Sequence, residues 1–273
     1  MPAAVVPVAV GTAIAGAQGP VIWWRSGYAL IVALGIQIGT NYANDYSDGI
    51  RGTDEGRVGP VRLVAGKLAP PSEVRRAAWY AFGIAAVAGL VLALATTPWL
   101  LAVGAASILA GWFYTGGPRP YGYAGYGEVF VFVFFGLVAV VGTSYLNLGR
   151  VTAPSVVAAV PVGLLATALL VVNNLRDVHG DARAGKHTLA VRIGSPRTRR
   201  LYAYLVAVAF GFVLVLAPFR PGALLALLAL VAAAPPLRRV LGGQHGSDLV
   251  SALVETGRLQ LAFGALLALG VLL

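Results

Sequence analysis

Asn41, Asn44, Asp45 and Asp48 recur at i, i+3, i+4 and i+7, so on a helix they share one face. Asp54 follows a turn bracketed by Gly49 and Gly52. A second polar patch, NNLRDVHGD, runs from Asn173 to Asp181, with Asn173, Asp177 and Asp181 four residues apart on one helical stripe. In both patches the asparagines precede the aspartates at the edge of an apolar run. Clustered carboxylates repel each other unless a cation lies among them. With neither cysteine nor a histidine pair nearby, the donors are oxygen only, which favours Mg2+, or Mn2+, over zinc. Mg2+ commonly takes one or two carboxylates and completes its shell with water and phosphate oxygens. Asp45, Asp48, Asp177 and Asp181 are therefore the expected metal ligands. Arg51, Arg62, Lys67, Arg119, Arg176 and Lys186 flank the patches, and guanidinium groups fork onto phosphate oxygens. The ligand this chemistry suits is a lipid diphosphate.

The elements that must position these groups are membrane helices. The chain is 58% hydrophobic and only 11% charged, where soluble domains carry about 25% charged residues. Nine apolar spans fit, at 3–19, 27–46, 74–95, 99–115, 128–147, 154–175, 199–217, 221–237 and 255–273. No linker divides them, so 1–273 reads as one all-α polytopic domain. The segment 2–19 lacks a basic flank and reads as a first membrane helix rather than a signal peptide. With nine spans, every Lys and Arg except Arg25, Arg150 and Arg220 falls on the side that holds the loops after spans two, four, six and eight. The positive-inside rule makes that side cytoplasmic. The carboxylates gather there too, so the chemistry is expected at the inner face of a plasma or inner membrane. The net charge of +10 is explained by these loops beside anionic lipid, and no nucleic-acid partner is implied. Cysteine is absent, which removes disulfides and thiolate chemistry.

Several polar residues have simpler readings. Asp54 taken alone is equally a capping or interfacial residue. His179, His187 and His245 read as loop residues, and Glu73, Asp248 and Glu255 as acids at helix starts. Glu128 opens the fifth span and suits a helix N-terminus. The aromatics near the patches are Tyr42, Tyr46, Trp112, Phe113, Tyr114 and Tyr121. They suit the interfacial belt or a wall for a carbocation.

NDYSDGIRGTD, followed by VGPVRLVAG, resembles the first aspartate motif of the UbiA-type membrane prenyltransferases. NNLRDVHGDARAGKHTLAVRIG resembles their second, and YTGGPRPYGYAGYGEVFVFVFFG, Tyr114 to Gly136, resembles the intervening loop and fifth helix of one branch. That branch uses 1,4-dihydroxy-2-naphthoate. The resemblance implies nine helices around a central cavity closed by cytoplasmic cap loops. It also implies Mg2+-assisted transfer of a polyprenyl group from polyprenyl diphosphate to the naphthoate, with loss of CO2 and diphosphate, giving demethylmenaquinone. Carried over by position, the first motif is Asn44, Asp45, Asp48 and Asp54. The second is Asp177 and Asp181, with Asn173, Asn174 and Arg176 completing the pattern. The alternative within the family is another acceptor, such as 4-hydroxybenzoate or homogentisate. The family usually carries a short basic segment before the first helix; here the chain begins Met1-Pro2-Ala3-Ala4.

Two other classes fit less well. DYSDG matches the start of the CDP-alcohol phosphotransferase signature, but Ile50-Arg51-Gly52 follows where that signature needs Ala-Arg, and the second DxxxD comes far too late. An ion-coupled transporter would place its carboxylates near the bilayer midplane, not at one rim.

Overall fold

The computed structural model describes residues 1–53 and 61–273. Asp54 and Arg57 therefore lie outside the described residues. Among those described, every regular element is helical. The elements are α1 (Pro2–Gly16), α2 (Trp23–Ile50), α3 (Pro71–Ala95), α4 (Leu100–Phe113) and α5 (Gly127–Val131). A π-helical turn (Phe132–Val138) joins α5 to α6 (Ala139–Leu148), making one rod. Then come α7 (Ala153–Arg183), the short α8 (Leu189–Ile193) and α9 (Ser195–Leu216). A 3-10 segment (Pro221–Ala229) runs into α10 (Leu230–Leu241), and α11 (Asp248–Leu272) closes the chain.

The protein is an all-α polytopic membrane protein. Among the described residues six helices are long and apolar enough to cross a bilayer: 71–95, 127–148, 153–183, 195–216, 221–241 and 248–272. α1 and α4 are apolar but shorter. α2 has the length, at 28 residues, but its second half is polar, with Gln37, Asn41, Asn44, Asp45 and Asp48.

A helix in hydrocarbon must satisfy its polar groups internally. The hydroxyls of Ser107, Thr143, Thr167 and Thr256 do so by donating to the carbonyl four residues back, at 2.7–2.8 Å. α7 starts on a reciprocal cap: the Ser155 amide donates to Thr152 Oγ1 and the Thr152 amide to Ser155 Oγ. Pro161 sits inside α7 without ending it.

Water cannot drive helices together inside a membrane, so close packing must. α7 is the central helix. Val162, Leu165 and Val172 on α7 pack with Val10 and Ile14 of α1, Tyr202 and Phe210 of α9, and Phe263 of α11 in the largest apolar cluster. The rod meets α7 at Gly136 and Gly163: a Cβ on Gly136 would lie 2.6 Å from the Gly163 Cα, so the backbones touch. α2, α3 and α4 form a second group around Ala43, Ala78 and Phe82. Large apolar side chains such as Trp23, Tyr80, Leu94 and Val231 remain on the outside, where lipid covers them.

Several helices differ from their expected limits, and two of the differences matter for the site. α2 continues to Ile50 rather than 46, and α7 to Arg183 rather than 175, so the aspartates of both patches are helical. Apolarity marks the membrane edge, not the helix end. The helices stop where glycine takes up the left-handed region, with Gly52 at φ 69° and Gly185 at φ 71°. α11 begins at Asp248, so Glu255 lies two turns in. It is not a helix-start acid; its carboxylate accepts from Arg239 Nε at 2.9 Å. Glu73 and Asp248 do occupy first turns. His179 is on α7 rather than in a loop.

Candidate active site

α2 and α7 bring their polar ends to one cavity of about 550 Å³. Asn41, Asn44 and Asp48 enter from α2, and Asn173, Asn174, Arg176, Asp177 and Asp181 from α7. Arg62 and Lys186 enter from the loops that follow these helices. The two patches, about 130 residues apart in sequence, therefore share one space at the same end of the bundle.

Asp48 is engaged through both of its carboxylate oxygens. Its Oδ2 lies 2.9 Å from Lys186 Nζ, with the two side chains only 7% and 8% exposed. Its Oδ1 accepts from the Tyr123 hydroxyl at 2.5 Å. Lys186 Nζ also stands 4.9 Å from the centre of the Tyr123 ring. Burial alone would lower the Lys186 ammonium, but the Asp48 carboxylate, with Tyr123 and Asp181, outweighs it and the net direction is upward. The lysine is therefore a fixed positive charge in the wall. Burial first, then the Asp48 charge, raises the Tyr123 hydroxyl, which keeps it a donor.

On α7, Arg176 Nε and Nη2 donate to the two carboxylate oxygens of Asp177 at 2.7 and 2.6 Å. Asn174 donates to Glu128 Oε1 at 3.0 Å, both residues being buried, so the acid that opens α5 also orients an amide of the second patch. On α2, Asn44 Oδ1 accepts from the Thr115 hydroxyl at 2.8 Å.

Asp45 is placed differently. It does not line the cavity. Its Oδ2 and Oδ1 accept from the backbone amides of Leu63 and Val64 at 2.9 and 3.0 Å. It ties down the turn that carries Arg62 into the cavity wall. Arg51 also lies outside the wall. Its guanidinium donates to the Thr115 and Gly117 carbonyls and stands 5.3 Å from the Tyr123 ring centre, holding the 114–123 loop to the end of α2. Lys67 and Arg119 are exposed and outside the wall.

Of the aromatics, Tyr114 and Tyr121 line the cavity, with Phe130, Phe134 and Phe135 deeper along the rod. Tyr121 stacks on Phe130 at 3.9 Å and donates its hydroxyl to the Ala110 carbonyl at 2.8 Å. Tyr46 and Trp112 stack on each other, and Trp112 on Trp79, outside the wall. Tyr42 packs beside Phe82, and Phe113 is exposed.

Sequence reasoning missed Tyr123, Thr115 and the place of His179 on the cavity wall. The run of tyrosines and glycines after Arg119 marks a tight loop, but nothing local says which tyrosine turns towards an aspartate.

The donor set fits a hard divalent cation: Asp48, Asp177 and Asp181, with the neighbouring asparagines Asn41, Asn44 and Asn173, line one space. Among the described residues no three acidic or histidine side chains close into a cage of their own. The basic groups of Arg176 and Lys186 already touch the aspartates, so positive charge surrounds the same space.

A helical membrane bundle with an acidic and basic pocket at one rim, above an aromatic throat, defines a class of lipid-diphosphate enzymes. The model described as "UbiA prenyltransferase family" matches residues 4–248, and the chain belongs to that family. It is 51% identical over 271 residues to the 1,4-dihydroxy-2-naphthoate octaprenyltransferase of Mycobacterium tuberculosis, covering 98% of this chain and 92% of that one. It is 48% identical over 257 residues to the protein of the same name in Mycobacterium leprae, covering 94% and 87%. Among solved structures, a UbiA homolog from Archaeoglobus fulgidus bound to DMAPP and Mg2+ superposes with a TM-score of 0.61 at 14% identity, covering 99% of this chain and 96% of that one.

Proposed function

We propose that the chain transfers a polyprenyl group from polyprenyl diphosphate to 1,4-dihydroxy-2-naphthoate, releasing diphosphate and CO2 and giving the prenylated 1,4-diol, the reduced form of demethylmenaquinone. The observation that carries this reading is the convergence of Asp48, Asp177 and Asp181 with Arg62, Arg176 and Lys186 on one cavity. The names of the mycobacterial relatives support the naphthoate as acceptor. The Archaeoglobus homolog, bound to an allylic diphosphate and Mg2+, supports the donor and the metal.

In this reading Asp48, Asp177 and Asp181 hold Mg2+, with Asn44 and Asn173 beside them; Asp54 belongs to the same motif by position. Mg2+ held by these residues would supply Lewis-acid stabilisation to the phosphate oxygens. Arg62, Arg176 and Lys186 meet the negative charge that grows on the diphosphate as the allylic C1–O bond breaks. The electron pair of that bond leaves with the diphosphate. Tyr114, Tyr121 and Phe130 wall the space where the allylic cation forms, keep water from it, and offer ring faces to its charge. The ring carbon that bears the carboxylate supplies the electrons of the new C–C bond, and the electron pair of its bond to the carboxylate returns to the ring as CO2 departs, which restores aromaticity. Asp45 and Arg51 serve as positioning residues, through the 61–69 turn and the 114–123 loop respectively.

The bundle is read as one domain over 1–273 with nine spans, α1, α2 and α4 included, and the cavity facing the cytoplasm. The basic loops at the cavity's end support that orientation. Membranes containing the chain, given Mg2+ and octaprenyl diphosphate, should prenylate 1,4-dihydroxy-2-naphthoate with release of CO2, and 4-hydroxybenzoate at least about a hundredfold more slowly, the discrimination available to a site built for one polar pattern. Preference for 4-hydroxybenzoate would overturn the choice of acceptor.

A further inference from the structure

We infer that the hydrocarbon tail of the donor runs past Phe134 and Phe135 into a second chamber, and that Gly89, Gly104 and Gly142 set how much tail the chamber admits. The inference rests on the prenyl-transfer reading above and adds to it a path and a chain-length determinant.

The second chamber has a volume of about 140 Å³ and shares Ile36, Ser107, Phe134 and Phe135 with the main cavity. One stripe of the rod serves both. Phe130 and Phe134 face the main cavity, and Val138, Gly142 and Leu146 continue along the chamber towards the opposite end of the bundle from the aspartates. The chamber lies in the wedge between α4, which packs on α2 and α3, and the rod, which packs on α1 and α7. Trp99 and Tyr145 bridge that wedge at its far end, with ring centroids 5.3 Å apart. The wall is apolar. Its two hydroxyls, Ser107 and Thr143, both donate back to their own helices at 2.7 Å, so it offers hydrocarbon contact and little else. A prenyl tail attached to a diphosphate at the charged rim is the occupant this continuity selects.

The three glycines are not there to let helices touch. A Cβ at Gly104 or Gly142 would meet no heavy atom within 4 Å, and one at Gly89 only Val32 Cγ2, at 4.0 Å. By contrast, a Cβ on Gly111 of the same α4 would strike Thr40 and Phe82. Glycine within a helix costs about 1 kcal/mol against alanine. Three such positions on three different helices, all opening on one chamber, keep space rather than contact. Gly83 on α3 also has open surroundings, but it faces outward and lines neither cavity, so it serves as the control.

The test uses the full chain in bilayer discs with Mg2+, 1,4-dihydroxy-2-naphthoate, and geranyl or octaprenyl diphosphate in turn. Gly104→Leu and Gly142→Leu each place a side chain in the chamber, and Gly83→Leu places one in lipid. Displacing two methylene-sized groups of buried tail corresponds to about tenfold in affinity. The ratio of octaprenyl to geranyl kcat/KM should therefore fall at least about tenfold in both chamber variants and stay unchanged in Gly83→Leu. An unchanged ratio in the chamber variants, whether their rates hold or fall together, overturns the inference and leaves the chamber a space for membrane lipid. If the unmodified chain transfers neither donor, the transferase reading fails first and this inference with it.

Discussion

Asp45→Asn separates two roles that the first motif leaves entangled. If Asp45 binds metal, the change weakens Mg2+. If it anchors the 61–69 turn, the change weakens the grip on diphosphate through Arg62. The structure favours the second role, because Asp45 does not line the cavity and its carboxylate instead accepts from the Leu63 and Val64 amides at 2.9 and 3.0 Å. Asparagine keeps one acceptor and turns an NH2 group towards the other amide, so one charge-assisted bond is lost and two donors face each other. A hydrogen bond to a charged group is worth about 1.5–3 kcal/mol. With the site only 6% exposed, water does little to replace it. Passed on to the placement of Arg62, that loss is about 10- to 150-fold. Steady-state transfer measured against prenyl diphosphate should show KM raised by about that factor. The Mg2+ concentration giving half-maximal rate at saturating diphosphate should be unchanged. The asparagine has the same shape, so yield and thermal stability of the purified protein check folding. A shift of about tenfold or more in the Mg2+ requirement, with KM for the diphosphate untouched, would refute the anchoring role and return Asp45 to the metal.

Asp48→Asn and Asp177→Asn should each abolish measurable turnover in the same assay while leaving membrane insertion and extracted yield intact; near-normal rates in both would sink the site assignment. Lys186→Met leaves Asp48 buried without its cation, a change that typically costs about 3–5 kcal/mol, and thermal unfolding in detergent should register it as a clear drop in midpoint. Tyr123→Phe removes the 2.5 Å donor to Asp48 Oδ1 and should lower kcat/KM about 10-fold or more, since a hydrogen bond to a charged partner is lost. Chelation by EDTA should stop transfer, and added Mg2+ should restore it. Calcium, larger and more loosely coordinated, should restore much less.

Much of this protein is written in local patterns. Apolar runs longer than a bilayer is thick force membrane helices, and the distribution of Lys and Arg among their loops decides which ends share a side. Asparagines and aspartates at helical spacing on α2 and α7 then have to appear together at one end of the bundle, as Asn41, Asn44, Asp48, Asn173, Asp177 and Asp181 do in the cavity. Helix ends were less legible, because hydropathy reports the lipid boundary whereas Gly52 and Gly185 decide where the backbone turns.

What the linear pattern does not contain is rotation. Asp45 and Asp48 lie only about 60° apart around α2, at about 100° per residue. Which of them faces the cavity depends on how that helix seats on α3, where Gly35 and Gly39 press against Ala81 and Phe82. That seating turns Asp48 inward and Asp45 towards a loop that begins some fifteen residues later. The same holds for Tyr123, for Lys186 as the partner of Asp48, and for three glycines on separate helices that open on one chamber. Residue type and spacing along one helix determine what chemistry is present. Contacts between helices far apart in the chain decide which atoms meet, because interhelical packing is a property of pairs of surfaces and no single segment encodes it.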